Sequence, residues 1–211
     1  MPLPAEISLR LDKVSKKFNN RKIFENVSFT LSGGSSIAVT GRNGSGKSTL
    51  VKIIAGLLAR SSGEISISID NSLIKQESAY PFIGFVSPYL NLYDEFSGYE
   101  NLKICSDIRG AGHENINGVL KKVGLYERRH DLLKIYSSGM KQRLKLAFGI
   151  LHDPAILILD EPTSNLDAEG ISVVDDIAGE YKKDRILIIA TNDEHEKSLC
   201  SESFNIDYKK T

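Results

Sequence analysis

The sequence predicts an α/β fold with a mostly parallel core sheet, an antiparallel β subdomain and an inserted helical subdomain. Three observations predict it. A glycine-rich loop, Gly41-Arg42-Asn43-Gly44-Ser45-Gly46-Lys47-Ser48-Thr49, lies between an apolar run and a helical pattern. Residues 155–159 and 186–190 are continuously apolar, as strands covered by helices on both faces read. Other segments alternate apolar and polar residues, the mark of a sheet with one wet face.

In chain order, Ile7-Ser8-Leu9-Arg10-Leu11 alternates and reads as a half-buried strand. Asn19-Asn20-Arg21 reads as a turn. Val27-Ser28-Phe29-Thr30-Leu31 alternates again and ends at Gly33-Gly34. Ile37-Ala38-Val39-Thr40 reads as a short buried strand leading into the loop. Residues 49–58 carry Leu50, Ile53, Ile54 and Leu57 at helical spacing. Ile65-Ser66-Ile67-Ser68-Ile69 is the third alternating strand, and residues 82–86 form another strand. From 97 to 148 the character changes to helices at 100–108, 116–123 and 141–151, punctuated by Gly110, Gly112, Gly124 and Gly139. This stretch reads as the helical insertion within a single domain spanning 1–211. The charged residues 180–185 read as a solvated helix end.

Composition narrows the function. Lys plus Arg and Asp plus Glu both number 27, so the net charge is zero. That argues against a mainly electrostatic nucleic-acid binder, and no nucleic-acid partner is expected. Residues 1–13 hold no apolar h-region, so no signal peptide is expected. No apolar run reaches the ~18 residues of a membrane span. A membrane role therefore has to come through a partner. Cys105 and Cys200 are isolated thiols without C-x-x-C spacing and read as reduced structural cysteines.

The loop fits G-x-x-x-x-G-K-[ST]. A polyphosphate needs many N–H donors close together, and glycine lets the backbone approach while taking positive φ. Lys47 supplies a point charge for the β- and γ-phosphates, and the Ser48 hydroxyl can ligate Mg²⁺. A strand, a glycine-rich loop and a helix N-terminus together make an anion site. The second half of the site is Ile156-Leu157-Ile158-Leu159-Asp160-Glu161-Pro162, an apolar strand delivering two carboxylates at its C-terminal end. Asp160 suits a Mg²⁺ ligand. Glu161 suits positioning and polarising the attacking water.

The third signal is Tyr136-Ser137-Ser138-Gly139-Met140-Lys141-Gln142-Arg143, shortly before the carboxylate strand. Together with Ser164-Asn165-Leu166-Asp167 after Asp160-Glu161-Pro162-Thr163, the set resembles the ABC-type ATPases, the nucleotide-binding subunits of ABC transporters. The resemblance covers about residues 7–193. It implies that Ser137, Ser138 and Gly139 stand at the family's signature, 164–167 at its D-loop, and Phe18 where an aromatic ring stacks on adenine. It implies ATP and Mg²⁺ as cofactors. It also implies a head-to-tail dimer, a homodimer or a paired ATPase subunit, with each ATP between one subunit's phosphate loop and the other's signature.

Three positions depart from the family's pattern. Pro88 stands where the family has a Gln, Asn192 where it has a His that contacts the γ-phosphate, and Ser138 replaces the first signature glycine. His195, flanked by Glu194 and Glu196, reads as a surface residue. The resemblance implies an ATPase that powers a transporter, bound to an integral membrane permease at the cytoplasmic membrane face. The chain stops soon after Asn192, so no regulatory C-terminal domain is expected. Its wording is similar to short ATPases of ABC-2-type exporters and of cytochrome c maturation. Two alternatives stay open: a non-transport ATPase such as an iron–sulfur assembly scaffold, and a low-turnover nucleotide switch favoured by Pro88 and Asn192.

Overall fold

The computed structural model describes residues 6–19, 21–110 and 112–209. Residues 1–5, and Asn20 of the expected turn, lie outside these. The first half of the chain runs β1 (Ile7–Phe18), β2 (Arg21–Ser32), β3 (Ser36–Thr40), α1 (Lys47–Ile54), β4 (Ser62–Ile69), β5 (Ser72–Ile74) and β6 (Ile83–Val86). The second half runs α2 (Gly98–Arg109), α3 (Ile116–Lys122), α4 (Ser138–Ile150), β7 (Ile156–Asp160), α5 (Ala168–Tyr181), β8 (Ile186–Ala190), α6 (Glu194–Ser198) and β9 (Glu202–Asn205).

The alternating strands form an antiparallel sheet in the order β2-β1-β4-β5. Leu9 pairs with Leu31 on one side and Ile67 on the other, so the apolar residues of three strands share one face. The continuously apolar strands, with the polar edge strand β9, form a parallel sheet in the order β6-β7-β8-β3-β9. Their composition follows from two cores. Ile156, Ile158, Ile186 and Ile188 pack with Leu50, Ile53 and Ile54 of α1 and the inner face of the antiparallel sheet. Leu157, Leu159, Leu187 and Ile189 point the other way, into a cluster with Leu120, Leu144, Val174 and Ile177 of the helices. Each such side chain contributes about 1.5–3 kcal/mol on burial, so a polar residue on either face of β7 or β8 would be costly.

Element boundaries differ from the sequence expectations in ways that local chemistry explains. The helix after the loop starts at Lys47 and stops at Ile54, before Gly56 at φ 75°. Leu57, expected on its apolar face, is 64% exposed. Helix α2 begins at Gly98, because Ser97 and Glu100 form a reciprocal capping box: Ser97 Oγ accepts the Glu100 N–H at 3.2 Å, and Glu100 accepts the Ser97 N–H at 2.8 Å. Gly110 closes it in the left-handed conformation. Helix α4 starts at Ser138, three residues before the expected 141, with Ser137 as its N-cap, so Gly139 lies inside the helix.

Residues 180–185 are not uniformly solvated. Lys182, Lys183 and Asp184 are exposed, but Arg185 is buried and donates to Asp153 at 2.5 Å. Strands β5 and β9 escaped the sequence reading. Both are short and carry little apolar pattern.

Candidate functional site

The C-terminal ends of the parallel strands converge on the glycine-rich loop. The loop leaves β3 at Gly41 and enters α1 at Lys47. Gly46 sits at φ 110°, and a Cβ there would lie 2.6 Å from Ile23 Cγ2, so only glycine fits. Gly46 provides no side-chain cap to α1, which leaves the first N–H groups of the helix available to an anion. Lys47 Nζ donates to the carbonyls of Gly41 at 2.9 Å and Arg42 at 3.4 Å, so the cation lies across the loop. Ser45 is buried, and its Oγ has no hydrogen-bond partner among the described residues. Gly44 has open space around it, whereas Gly41 packs against Ile206, Ser45 and Asp207.

Asp160 ends β7 and is 1% exposed. Ser48 Oγ, in the first turn of α1, donates to Asp160 Oδ1 at 2.9 Å. Asp160 Oδ2 is buried with no partner among the described residues. Burial pushes the Asp160 carboxyl above the usual carboxylate range; the Ser48 hydrogen bond opposes this, and the Glu161 charge adds to it. A hydroxyl and a buried carboxylate with an orphaned oxygen make a hard-donor set that fits Mg²⁺.

Glu161 follows in the left-handed region at φ 48°. For a residue with a Cβ that conformation costs about 1–3 kcal/mol and persists only where the surroundings enforce it. Here the Glu161 N–H donates to Ala190 O at 2.9 Å, and Gln142 Nε2 reaches Pro162 O at 3.4 Å.

Asn192 lies just past β8. Its Nδ2 donates to Asn43 Oδ1 at 2.5 Å, so it touches the phosphate loop directly. His195 is exposed and pairs with Asp175 at 2.8 Å, on the surface as expected. Pro88 lies two residues past β6, whose Val86 pairs with Leu159 of β7, so it belongs to the same end of the sheet as Asp160. Its carbonyl accepts from Lys145 Nζ at 2.5 Å.

Two more expected groups lie at the start of α4 and at the end of β1. Ser137 Oγ accepts the Met140 N–H at 3.2 Å, which makes Ser137, Ser138 and Gly139 the opening of α4. No hydrogen bond among the described residues joins them to 41–48. Phe18, at the end of β1, is 46% exposed, with Lys16 Nζ 4.6 Å from its ring centroid. The remaining loop positions, Arg42 and Thr49, lie at the loop surface and in the first turn of α1.

Two residues were missed. Asp207 accepts the Arg42 N–H at 2.6 Å and lies 3.7 Å from the Arg42 side chain. Nothing in the sequence marks it. Glu196, noted in the sequence only as a charged neighbour of His195, is 2% exposed. It accepts from both the N–H and the hydroxyl of Thr163. Its only sequence signal is the Asp193-x-x-Glu196 spacing of a helix N-terminus.

Comparison with known proteins adds to this geometry. The sequence profile of the family described as "ABC transporter" matches residues 24–164. The "Uncharacterized ABC transporter ATP-binding protein YhcH" of Bacillus subtilis (strain 168) is 38% identical over 182 residues, covering 86% of this chain and 60% of that protein. The "Lantibiotic transport ATP-binding protein SrtF" of Streptococcus pyogenes is 34% identical over 184 residues, covering 87% of this chain and 79% of that protein. A solved structure, "Structure of ATP binding subunit of ABC transporter", superposes with a TM-score of 0.80 at 25% identity, over 94% of this chain and 85% of that one. The chain thus spans less than two thirds of the length of YhcH.

Proposed function

We propose, from the premise that this chain belongs to the ABC transporter family of ATP-binding proteins, that it hydrolyses Mg²⁺-ATP to power a membrane transporter. The observation that carries the reading is the Ser48–Asp160 contact at 2.9 Å, which brings the phosphate loop and the buried carboxylate to one point beside Glu161.

On this reading each residue has a role. The N–H groups of the loop and the N-terminus of α1 hold the phosphates. Lys47 swings from the loop carbonyls to the β- and γ-phosphate oxygens. Ser48 and Asp160 would hold Mg²⁺, which when bound would supply charge neutralisation at the phosphates. Glu161 accepts the proton of the attacking water. Asn192 offers one amide N–H to the γ-phosphate in place of Asn43. The exposed ring of Phe18 stacks on the base.

Ser137, Ser138 and Gly139 open α4 with free N–H groups and a positive helix end, suited to a γ-phosphate. They make no bond to the loop of their own chain, which supports a second subunit placing its ATP there. ATP then joins two subunits and hydrolysis releases them, a population shift driven by γ-phosphate contacts. The names of SrtF and other relatives support a permease partner at the cytoplasmic membrane face. No helix among the described residues is long and apolar enough to cross a membrane, consistent with attachment through that partner.

The test is affinity purification of the tagged chain from detergent-solubilised membranes, with Mg²⁺-dependent ATPase assays of the recovered complex. Recovery of a polytopic membrane protein and saturable hydrolysis supports the reading. Hydrolysis without such a partner favours the non-transport alternative. The contact of Asn192 with Asn43 and the absence of a side-chain ligand at Pro88 favour a second reading, a nucleotide switch of low turnover; binding without measurable hydrolysis in the complex selects it.

A further inference from the structure

We propose that Glu196 is a positioning residue: it holds the turn that carries Glu161 by presenting one buried carboxylate oxygen to both donors of Thr163. The inference deepens the ATPase reading and rests on it for its kinetic arm.

Glu196 lies in α6, a short helix in which Glu194 and His195 just before it are exposed. Its own side chain turns inward and is almost wholly buried. A carboxylate is buried at a cost unless it is hydrogen-bonded. Here Oε1 accepts the Thr163 N–H at 2.7 Å and the Thr163 hydroxyl at 2.5 Å. No other side chain among the described residues accepts from Thr163. Oε2 has no partner among them, so the carboxylate acts on the turn through one oxygen.

Thr163 is two residues past Glu161, whose left-handed backbone has to be enforced from outside. The turn has three anchors around that corner. The Glu161 N–H is held by Ala190 O at the end of β8, and Thr163 is held by Glu196. Between them Gln142 Nε2 of α4 reaches Pro162 O at 3.4 Å, and the other two anchors belong to one continuous segment, β8 to α6. That segment is fixed in turn. The Thr191 N–H donates to Val39 O of β3, and Asp193 caps α6 by accepting the Glu196 N–H at 3.0 Å. Between the anchors, Asn192 reaches Asn43 of the phosphate loop. Together with Ala190 O and Gln142, Glu196 therefore sets the spacing between the Glu161 carboxylate and the loop that would hold the γ-phosphate.

The test compares the wild-type chain with Glu196→Ala, Glu196→Gln and Thr163→Val. Single-turnover hydrolysis of Mg²⁺-ATP, equilibrium ATP binding and peptide-resolved amide hydrogen exchange are measured on each. Glu196→Ala should hydrolyse about tenfold or more slowly, since small misplacement of a reacting group is costly, while ATP affinity stays at the wild-type value. Exchange should quicken at 161–166 and not at 41–58. Glu196→Gln should recover most of the rate, because its amide oxygen accepts the same two bonds. Thr163→Val loses one of the two bonds and should fall between. Wild-type rate and exchange in Glu196→Ala overturn the proposal. So does a loss of ATP affinity in step with rate, with exchange quickened throughout the chain, which marks a purely structural role. If Glu196→Ala does not fold, wild-type rate and exchange in Thr163→Val overturn it. If the wild-type chain itself does not hydrolyse ATP, the ATPase reading fails separately, and unchanged exchange at 161–166 still sinks the positioning role.

Discussion

Ser48 Oγ and Asp160 Oδ1 stand 2.9 Å apart and tie the first turn of α1 to the C-terminal end of β7. The two residues are 112 positions apart in sequence. Their meeting follows from two cores that clamp α1 on one face of the parallel sheet and the helices on the other. It also leaves Asp160 Oδ2 buried without a partner among the described residues. A buried carboxylate pre-placed in this way stores an electrostatic cost in the fold, and that cost is measurable.

Asp160→Asn should raise the melting temperature of the nucleotide-free chain at neutral pH. The native carboxyl titrates above its unfolded value because of burial. Its contribution to stability is therefore complete below the unfolded value and lost as pH rises through the native one. The variant removes that loss, so its advantage over wild type should shrink on acidification. Thermal melts across pH check this, and an advantage that grows as pH falls contradicts it. The same variant should lose Mg²⁺-dependent hydrolysis.

Lys47→Ala should weaken ATP binding by about ten- to a hundredfold, the equivalent of one lost charge-assisted bond of about 1.5–3 kcal/mol. In the structure Lys47 bridges the Gly41 and Arg42 carbonyls, so it is already held at the loop. Equilibrium binding of labelled ATP measures it. Unchanged affinity would mean that the loop is not the site.

Glu161→Gln should bind ATP and slow turnover by about 10²–10⁴-fold, the range of a lost general base. The amide keeps the shape of the carboxylate and cannot take the water's proton. With ATP the variant should accumulate as a dimer in size-exclusion chromatography. Parent-rate hydrolysis removes Glu161 from its role, and a monomer at saturating ATP counts against the two-subunit arrangement.

Asn192→His should raise the basal rate roughly tenfold, if ~1.4 kcal/mol of transition-state stabilisation is regained. An imidazole can become cationic next to the γ-phosphate, whereas the amide cannot. The present amide is spent on Asn43. A poorly held metal would mask the gain, so Pro88→Gln is made alone and in combination. If neither change alters turnover in a parent that already works at an ordinary rate, the role given to Asn192 is wrong.

By itself the sequence determined the α/β class, the alternating strands of one sheet, the buried strands of the other and the glycine-rich form of the loop. Period-two alternation at Leu9, Leu31 and Ile67 and continuous apolarity at 156–159 and 186–190 are local consequences of having one buried face or two. The glycines of 41–46 likewise answer to local φ. Only the tertiary structure decided what depends on contacts between distant segments. It buried Glu196 against Thr163, 33 positions away, although its charged neighbours suggested a solvated face. It set Asn192 on Asn43 across 149 positions and Asp207 on Arg42 across 165. It made strands of β5 and β9, whose residues show little pattern until a neighbouring strand offers a ladder. A charged or amide side chain carries no mark in sequence of whether water or another side chain will satisfy it. Packing alone settles which.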